Sequence, residues 1–155
     1  EVNWGELDFL LVDLPPGTSD EPISVVQLIP HLDGAIIVTT PQEVALLDSR
    51  KAVNMFLMMN VPVLGIVENM SGLICPHCGE SIDVFKRGNG EKAARELGVD
   101  FMGAIPLDVD IGRLGDMGQT FAKDKTLAAE AFDRIVVSIL KHLSGSEVAP
   151  ICEKN

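Results

Sequence analysis

Basic residues are scarce in this sequence, where 12 lysines and arginines stand against 23 aspartates and glutamates and leave a net charge of −11. A large nucleic-acid-binding surface needs clustered lysine and arginine, so nucleic acid is not expected as a partner. No apolar run reaches the roughly 18–20 residues that cross a membrane. The opening residues, EVNWGELDF, lack the basic segment and apolar run of a signal peptide. We therefore expect a cytoplasmic protein, or one inside an organelle, that does not bind membranes.

Cysteine is also rare, and of three cysteines only Cys75 and Cys78 stand close together. An odd count with one close pair is not the pattern of a secreted disulfide scaffold. A C-P-x-C-G turn can direct both sulfurs at one metal, although most structural sites need four ligands. Three interpretations stay open: a redox pair, a zinc site completed by other ligands, and a site to which two copies of the chain each contribute two thiolates. Gly79 directly after the pair argues against the redox interpretation. We expect His77 to be exposed rather than a ligand. We expect Cys152 to be a free thiol.

The stretch LDFLLVDLPPGTSD at residues 7–20 leads an apolar run into an acid and a Pro-Pro-Gly turn. A continuous apolar run predicts a strand buried on both faces of a parallel sheet. Asp13 then stands at the end of a strand, where its carboxylate can hold Mg²⁺ through water. Gly17 has no Cβ and can bring its backbone N–H close to a phosphate. The alternative is a buried strand that ends in a turn, with Asp13 as a helix cap.

Strands and helices alternate along the rest of the sequence. Apolar, β-branched runs predict further strands at 35–40, 61–68 and 100–105. Apolar periodicity and end signals predict helices at 22–32, 41–59, 88–97 and 127–143. The second of these helices begins with a capping box opened by Thr40.

This alternation predicts an α/β fold with a mostly parallel sheet and helices on both faces. One domain is expected at residues 1–143, followed by a loose tail at residues 144–155. Each predicted strand ends in polar or special residues, namely Asp13, residues 39–41, residues 68–69 and residues 106–108. Because parallel strands end at the same edge of a sheet, this convergence predicts a ligand site there.

Together these stretches resemble the Mrp-type ATPases of iron–sulfur cluster assembly, within the MinD/ParA-like deviant Walker A superfamily of P-loop NTPases. The matching pieces are WGELDFLLVDLPPGTSD, VTTPQEVALLDSRKA, VPVLGIVENMS, CPHCG, and GAIPLD with GDMG after it. They cover about residues 4–143 in the family's order. No single piece is specific, but DLPPGTSD combined with VENMS and CPxCG is.

The resemblance implies ATP and Mg²⁺ as cofactors and assigns roles to residues at the predicted sheet edge. Asp13 resembles the switch II acid that orders magnesium and its water, and Gly17 resembles the switch II glycine that faces the γ-phosphate. Asn69 resembles the adenine-reading asparagine, whose amide can both donate and accept. Pro106 and Asp108 fall in the loop that borders the base.

The resemblance also makes Cys75 and Cys78 ligands of a four-iron, four-sulfur cluster that bridges the subunits of a homodimer and passes to apo recipient proteins. One feature of the family is missing, since no KGGVGKS-like P-loop occurs in this sequence. The chain therefore resembles only the C-terminal half of the family, and it is not expected to hydrolyse ATP alone. The rival interpretations are a ParA/MinD-like positioning ATPase and a zinc-binding interaction module.

Overall fold

The computed structural model describes residues 2–29, 31–75, 77–123 and 125–144, and it contains both helices and strands. The helices are α1 (Asp20–Leu28), α2 (Glu43–Met58), α3 (Asn89–Leu97), α4 (Val109–Asp116) and α5 (Leu127–Ser144), with a 3-10 turn at Phe121–Lys123. The strands are β1 (Ala35–Thr39), β2 (Val63–Glu68), β3 (Leu73–Ile74), β4 (Ser81–Ile82) and β5 (Phe101–Ala104). Within the described residues, no helix combines the length and the apolar character that a membrane crossing requires.

The main sheet has three parallel strands in the order β1-β2-β5. Thr39 pairs with Glu68, and Glu68 pairs with Ala104, so the three strands end in one row. Strands β3 and β4 form a separate antiparallel hairpin. The predicted parallel α/β architecture is confirmed, and its strand ends meet at one edge as parallel pairing requires.

Helices cover both faces of this sheet. Successive residues of a strand point to opposite faces, and Ile37 packs in a cluster with α2 and α3 while Ile36 packs in a cluster with α5. The first cluster is centred on the buried residues Ile37, Val53, Met55, Phe56, Val61, Ile66 and Ala94. The second is centred on Leu64, Val67, Met102, Ile105, Ala128 and Ile135.

The helix ends agree with the sequence where glycine sets them and differ elsewhere. Helix α3 ends before Gly98, as the sequence predicted, and it begins at Asn89, one residue later than predicted; Gly88 and Gly98 both adopt positive φ. The predicted capping box at Thr40 is wrong, because α2 begins at Glu43 without a side-chain cap. The main chain before α2 is instead tied to α3, since the Pro41 carbonyl accepts a hydrogen bond of 2.8 Å from Asn89 Nδ2.

The first predicted strand is wrong in this structure. Residues 7–13 form no strand, and their apolar side chains are exposed, with Phe9 at 57% and Leu11 at 86%. A strand needs a neighbour for its backbone N–H and C=O groups, and β1 pairs only with β2 in the described part of the chain. A groove of about 470 Å³ separates residues 10–17 from residues 34–38. The segment therefore lies beside the sheet without joining it.

Candidate functional site

The carboxyl end of the sheet is held together by backbone hydrogen bonds between the segments that leave it. Asn69 N donates to Thr39 O at 2.7 Å, which joins the ends of β1 and β2. Ile105 N donates to Glu68 O at 2.8 Å, and Ser71 N donates to Ile105 O at 2.9 Å. These bonds bring the segment after β5, which contains Pro106, beside the segment that contains Asn69.

A cavity of about 350 Å³ opens at this edge, between β1, α2 and the Pro-Pro-Gly turn. Its polar lining offers hydroxyl, carboxylate and amide groups from Thr39, Thr40, Asp48, Ser49 and Asn69. Gly17 also lines it. The structure thus places two of the predicted site residues, Gly17 and Asn69, around one cavity.

Asp13 is the last residue of the segment that was predicted to be a strand, and Gly17 lies in the turn that follows it. Gly17 adopts φ 96°, a conformation that side chains other than glycine rarely take. A Cβ added there would meet nothing within 4 Å, so the space beside its Cα is open. Asp13 is exposed and lines the 470 Å³ groove, whereas it does not line the smaller cavity.

Asn69 is half-buried, and its Oδ1 accepts a hydrogen bond of 2.9 Å from Met70 N. Met70 has φ 55°, so the chain turns sharply directly after the asparagine. Asp108 caps helix α4, because its Oδ1 accepts a bond of 2.9 Å from Asp110 N. Neither Pro106 nor Asp108 lines the cavity. Their position beside Asn69 follows from the backbone bonds between the two segments.

Cys75 and Cys78 lie at the tip of the β3–β4 hairpin, which leaves the same edge of the sheet. Cys75 N donates to Glu80 O, and Gly79 N donates to Cys75 O, both at 2.9 Å. Gly79 has φ 74°, which lets the chain turn back without a Cβ in the way. The hairpin itself packs back on the sheet edge, since Leu107 N donates to Gly72 O at 2.7 Å.

The turn stabilises a thiolate at Cys75. The backbone N–H of Cys78 is the main hydrogen-bond donor to the sulfur, followed by the N–H of His77 and the Cys78 thiol, and these bonds hold the pKa of the Cys75 thiol below its ordinary value. Thiolates are the form of cysteine that binds metals. The side chain of His77 is exposed, as predicted.

Within the described residues, no group of three or more His, Cys, Asp or Glu side chains is placed to hold a metal ion. The two sulfurs at positions 75 and 78 therefore have no third ligand from this part of the chain. Cys152 and the predicted loose tail, apart from Ser144 at the end of α5, lie outside the described residues.

Sequence reasoning missed the environment of Glu68, the last residue of β2. Its side chain is fully buried, and it accepts hydrogen bonds from Ser71, Gly88 and Gly90. The sequence marks Glu68 only as the polar end of an apolar strand. Its three donors come from both sides of the hairpin, which no local pattern reveals.

A family model described as ParA, NUBPL iron-transfer P-loop NTPase, matches residues 1–140. The chain belongs to this family. It is 50% identical over 147 residues to the iron–sulfur cluster carrier protein of Methanocaldococcus jannaschii, a match that covers 95% of this chain and 51% of that protein.

Two solved structures show the same fold. A nucleotide-binding protein from Archaeoglobus fulgidus, in complex with ADP, superposes with a TM-score of 0.69 at 42% identity. The match covers 83% of this chain and 52% of that protein chain. The septum site-determining protein MinD of Pyrococcus horikoshii, complexed with Mg-ADP, gives a TM-score of 0.68 at 22% identity, covering 94% of this chain and 56% of its own. The second likeness shows the fold alone. The P-loop NTPase-like fold predicted from the sequence is confirmed.

The chain spans about half the length of the relatives that it matches. The resemblance to one half of the family is thereby confirmed. The matched half contains the cavity at the strand ends and the cysteine hairpin.

Proposed function

We propose that this chain is the cluster-binding and base-binding half of an ATP-dependent iron–sulfur carrier. Its cargo is a four-iron, four-sulfur cluster held between two copies of the chain, with Cys75 and Cys78 from each. The observation that supports this most directly is the position of the cysteine pair. It stands on a hairpin that leaves the same sheet edge as the 350 Å³ cavity lined by Asn69.

The chemistry of the pair suits such a cargo. Thiolates are soft ligands that favour iron–sulfur clusters, and a four-iron, four-sulfur cluster takes four of them. The lowered pKa of the Cys75 thiol increases the share of thiolate at neutral pH. One described chain offers two sulfurs, and a symmetric dimer reaches four.

The cavity suits one part of a nucleotide, and the rest of the nucleotide site would be supplied by residues outside this chain. Asn69 offers an amide whose donor and acceptor groups match the edge of adenine. Gly17 lines the same cavity and has open space beside its Cα, and in the proposed role its N–H faces the γ-phosphate. Asp13 is proposed to hold Mg²⁺ through water, and Pro106 and Asp108 are proposed to border the base. The lysine and hydroxyl that hold phosphates would come from the P-loop half of the family.

Anaerobic reconstitution of the purified chain with iron and sulfide tests the proposal. We expect a broad absorption band in the blue and four irons for every two chains. Cys75→Ala and Cys78→Ala should each abolish the band and weaken the dimer, measured by sedimentation. Cys152→Ala is the matched control, because it removes a cysteine outside the proposed site, and it should behave as the unchanged protein.

The outcomes separate the competing functions. One cluster per chain contradicts the shared site. Binding of zinc alone, at one ion per two chains, keeps the dimer and removes the carrier function in favour of a zinc-binding interaction module. A positioning ATPase of the MinD type predicts that neither cysteine matters for activity or assembly.

A further inference from the structure

Glu68 carries a carboxylate in the interior without a cation beside it. The side chain is fully buried, and no ion pair involves it in the described part of the chain. Its Oε1 accepts bonds from Ser71 Oγ at 2.5 Å and Gly88 N at 3.0 Å, while Oε2 accepts from Gly90 N at 2.6 Å. A buried polar group of this kind is retained where such bonds replace its hydration.

The three donors belong to the two ends of one loop. We define the cysteine loop as residues 70–87, which join β2 to α3 and carry the β3–β4 hairpin. Ser71 lies at its start, Gly88 follows it directly, and Gly90 lies in the first turn of α3. The single carboxylate of Glu68 therefore joins both ends of the loop that presents the cysteines.

Gly90 packs tightly against Glu68 in this arrangement. A Cβ at Gly90 would stand 3.0 Å from both Cβ and Oε2 of Glu68, closer than nearly all real Cβ contacts. An alanine there would require Glu68 or the α3 backbone to shift by a few tenths of an ångström, which perturbs the bonds to the carboxylate. The neighbouring Asn89 binds the Pro41 carbonyl at 2.8 Å, so the end of the loop is also fixed to the segment after β1.

We propose that Glu68 is a positioning residue that fixes the cysteine loop, and with it Cys75 and Cys78, on the sheet edge beside Asn69. This inference rests on the proposed function, in which the fixed loop determines how the cysteine pairs of two chains face each other. Asn69 follows Glu68 directly in the chain, so the cavity that Asn69 lines and the cysteine loop both begin next to Glu68.

Hydrogen exchange of the folded chain, read by mass spectrometry, tests the positioning role with Glu68→Gln. Glutamine offers one acceptor oxygen and one NH₂ donor where the carboxylate offers two acceptor oxygens. One glycine N–H then loses its partner. We expect the amides of residues 71–88 to exchange at least about 10-fold faster, with the amides of α5 unchanged, because the opening is local.

Two further variants keep the test decisive. Gly90→Ala should reproduce the local pattern of Glu68→Gln, since it perturbs the bonds to the same carboxylate. Glu80→Gln is the matched control, because Glu80 is an exposed glutamate in the same loop, and it should change nothing. Faster exchange throughout the chain, or unchanged exchange in the loop, would overturn the positioning role.

Titration with Co²⁺ alone links the loop to the cysteines. The unchanged chain should show thiolate-to-cobalt absorption bands at one ion per two chains, and Glu68→Gln should weaken this binding at least about 10-fold. Equal Co²⁺ affinity in the two proteins would show that Glu68 does not position the pair. Absence of Co²⁺ binding in the unchanged chain would count against the proposed shared site, while hydrogen exchange would still decide whether Glu68 holds the loop.

Discussion

Leu11→Ala distinguishes a segment that lies loose beside the sheet from one that becomes a central strand. Leu11 is 86% exposed in this structure and lines the groove of about 470 Å³ next to β1. Removing an exposed side chain alters the free energy of unfolding by less than about 0.5 kcal/mol. We therefore expect almost no effect of Leu11→Ala on the 155-residue chain.

The expected effect is different in a longer protein, here called the joined protein, in which this chain follows a phosphate-binding half of the kind its family possesses. A strand from that half would fill the groove and pair with both β1 and residues 7–13. Leu11 would then be buried, as its place in a continuous apolar run indicates. Truncating a buried leucine to alanine costs about 2–5 kcal/mol, because burial is lost and a cavity is left.

Urea unfolding measures both values, followed by circular dichroism and by the fluorescence of Trp4, the single tryptophan. Leu28→Ala is the matched control, since Leu28 is 80% exposed on α1 and does not line the groove. It should cost less than about 0.5 kcal/mol in both proteins. A small cost of Leu11→Ala in the joined protein would refute the strand. A large cost in the isolated chain would show that the segment is already packed.

Three further predictions concern the site. The purified chain should hydrolyse no ATP, because phosphoryl transfer depends on positioning and charge stabilisation by a phosphate cradle; ATPase activity that disappears with Asp13→Ala would contradict this. In the joined protein, Asn69→Ala should weaken ATP binding by about 1–3 kcal/mol and reduce the preference for ATP over GTP, measured by calorimetry; unchanged affinity and selectivity would remove Asn69 from the site. The lowered pKa of Cys75 means that its thiolate forms at lower pH in the folded chain than in the unfolded one, so its alkylation by iodoacetamide, resolved by mass spectrometry, should have its midpoint at lower pH in buffer than in urea. An equal or higher midpoint in buffer would show that the turn does not stabilise the thiolate.

Elements with a local cause could be predicted from the sequence. The β-branched run at β1 and the apolar run at β2 predict strands wherever a partner exists, and both formed. Helix α3 lies between Gly88 and Gly98, whose positive φ values end the helix at each side. The parallel arrangement followed from the alternation of strands and helices.

Elements that depend on distant partners could not be predicted. Residues 7–13 have the composition of a buried strand, yet they remain exposed because a strand requires a neighbour on the sheet. The short arms of the β3–β4 hairpin form because Gly79 turns the chain and Leu107 binds the hairpin base, and two-residue strands have no periodicity to detect.

The sequence by itself determined the chemistry of the candidate site: the cysteine spacing, the asparagine after β2, and the missing phosphate-binding motif. Only the tertiary structure decided how these parts are held. The burial of Glu68 depends on Ser71, Gly88 and Gly90, which come together when the chain returns from the hairpin to begin α3. Any glutamate brings two oxygens that accept hydrogen bonds, but whether the donors are water or the two ends of a loop depends on the groups that folding brings to it.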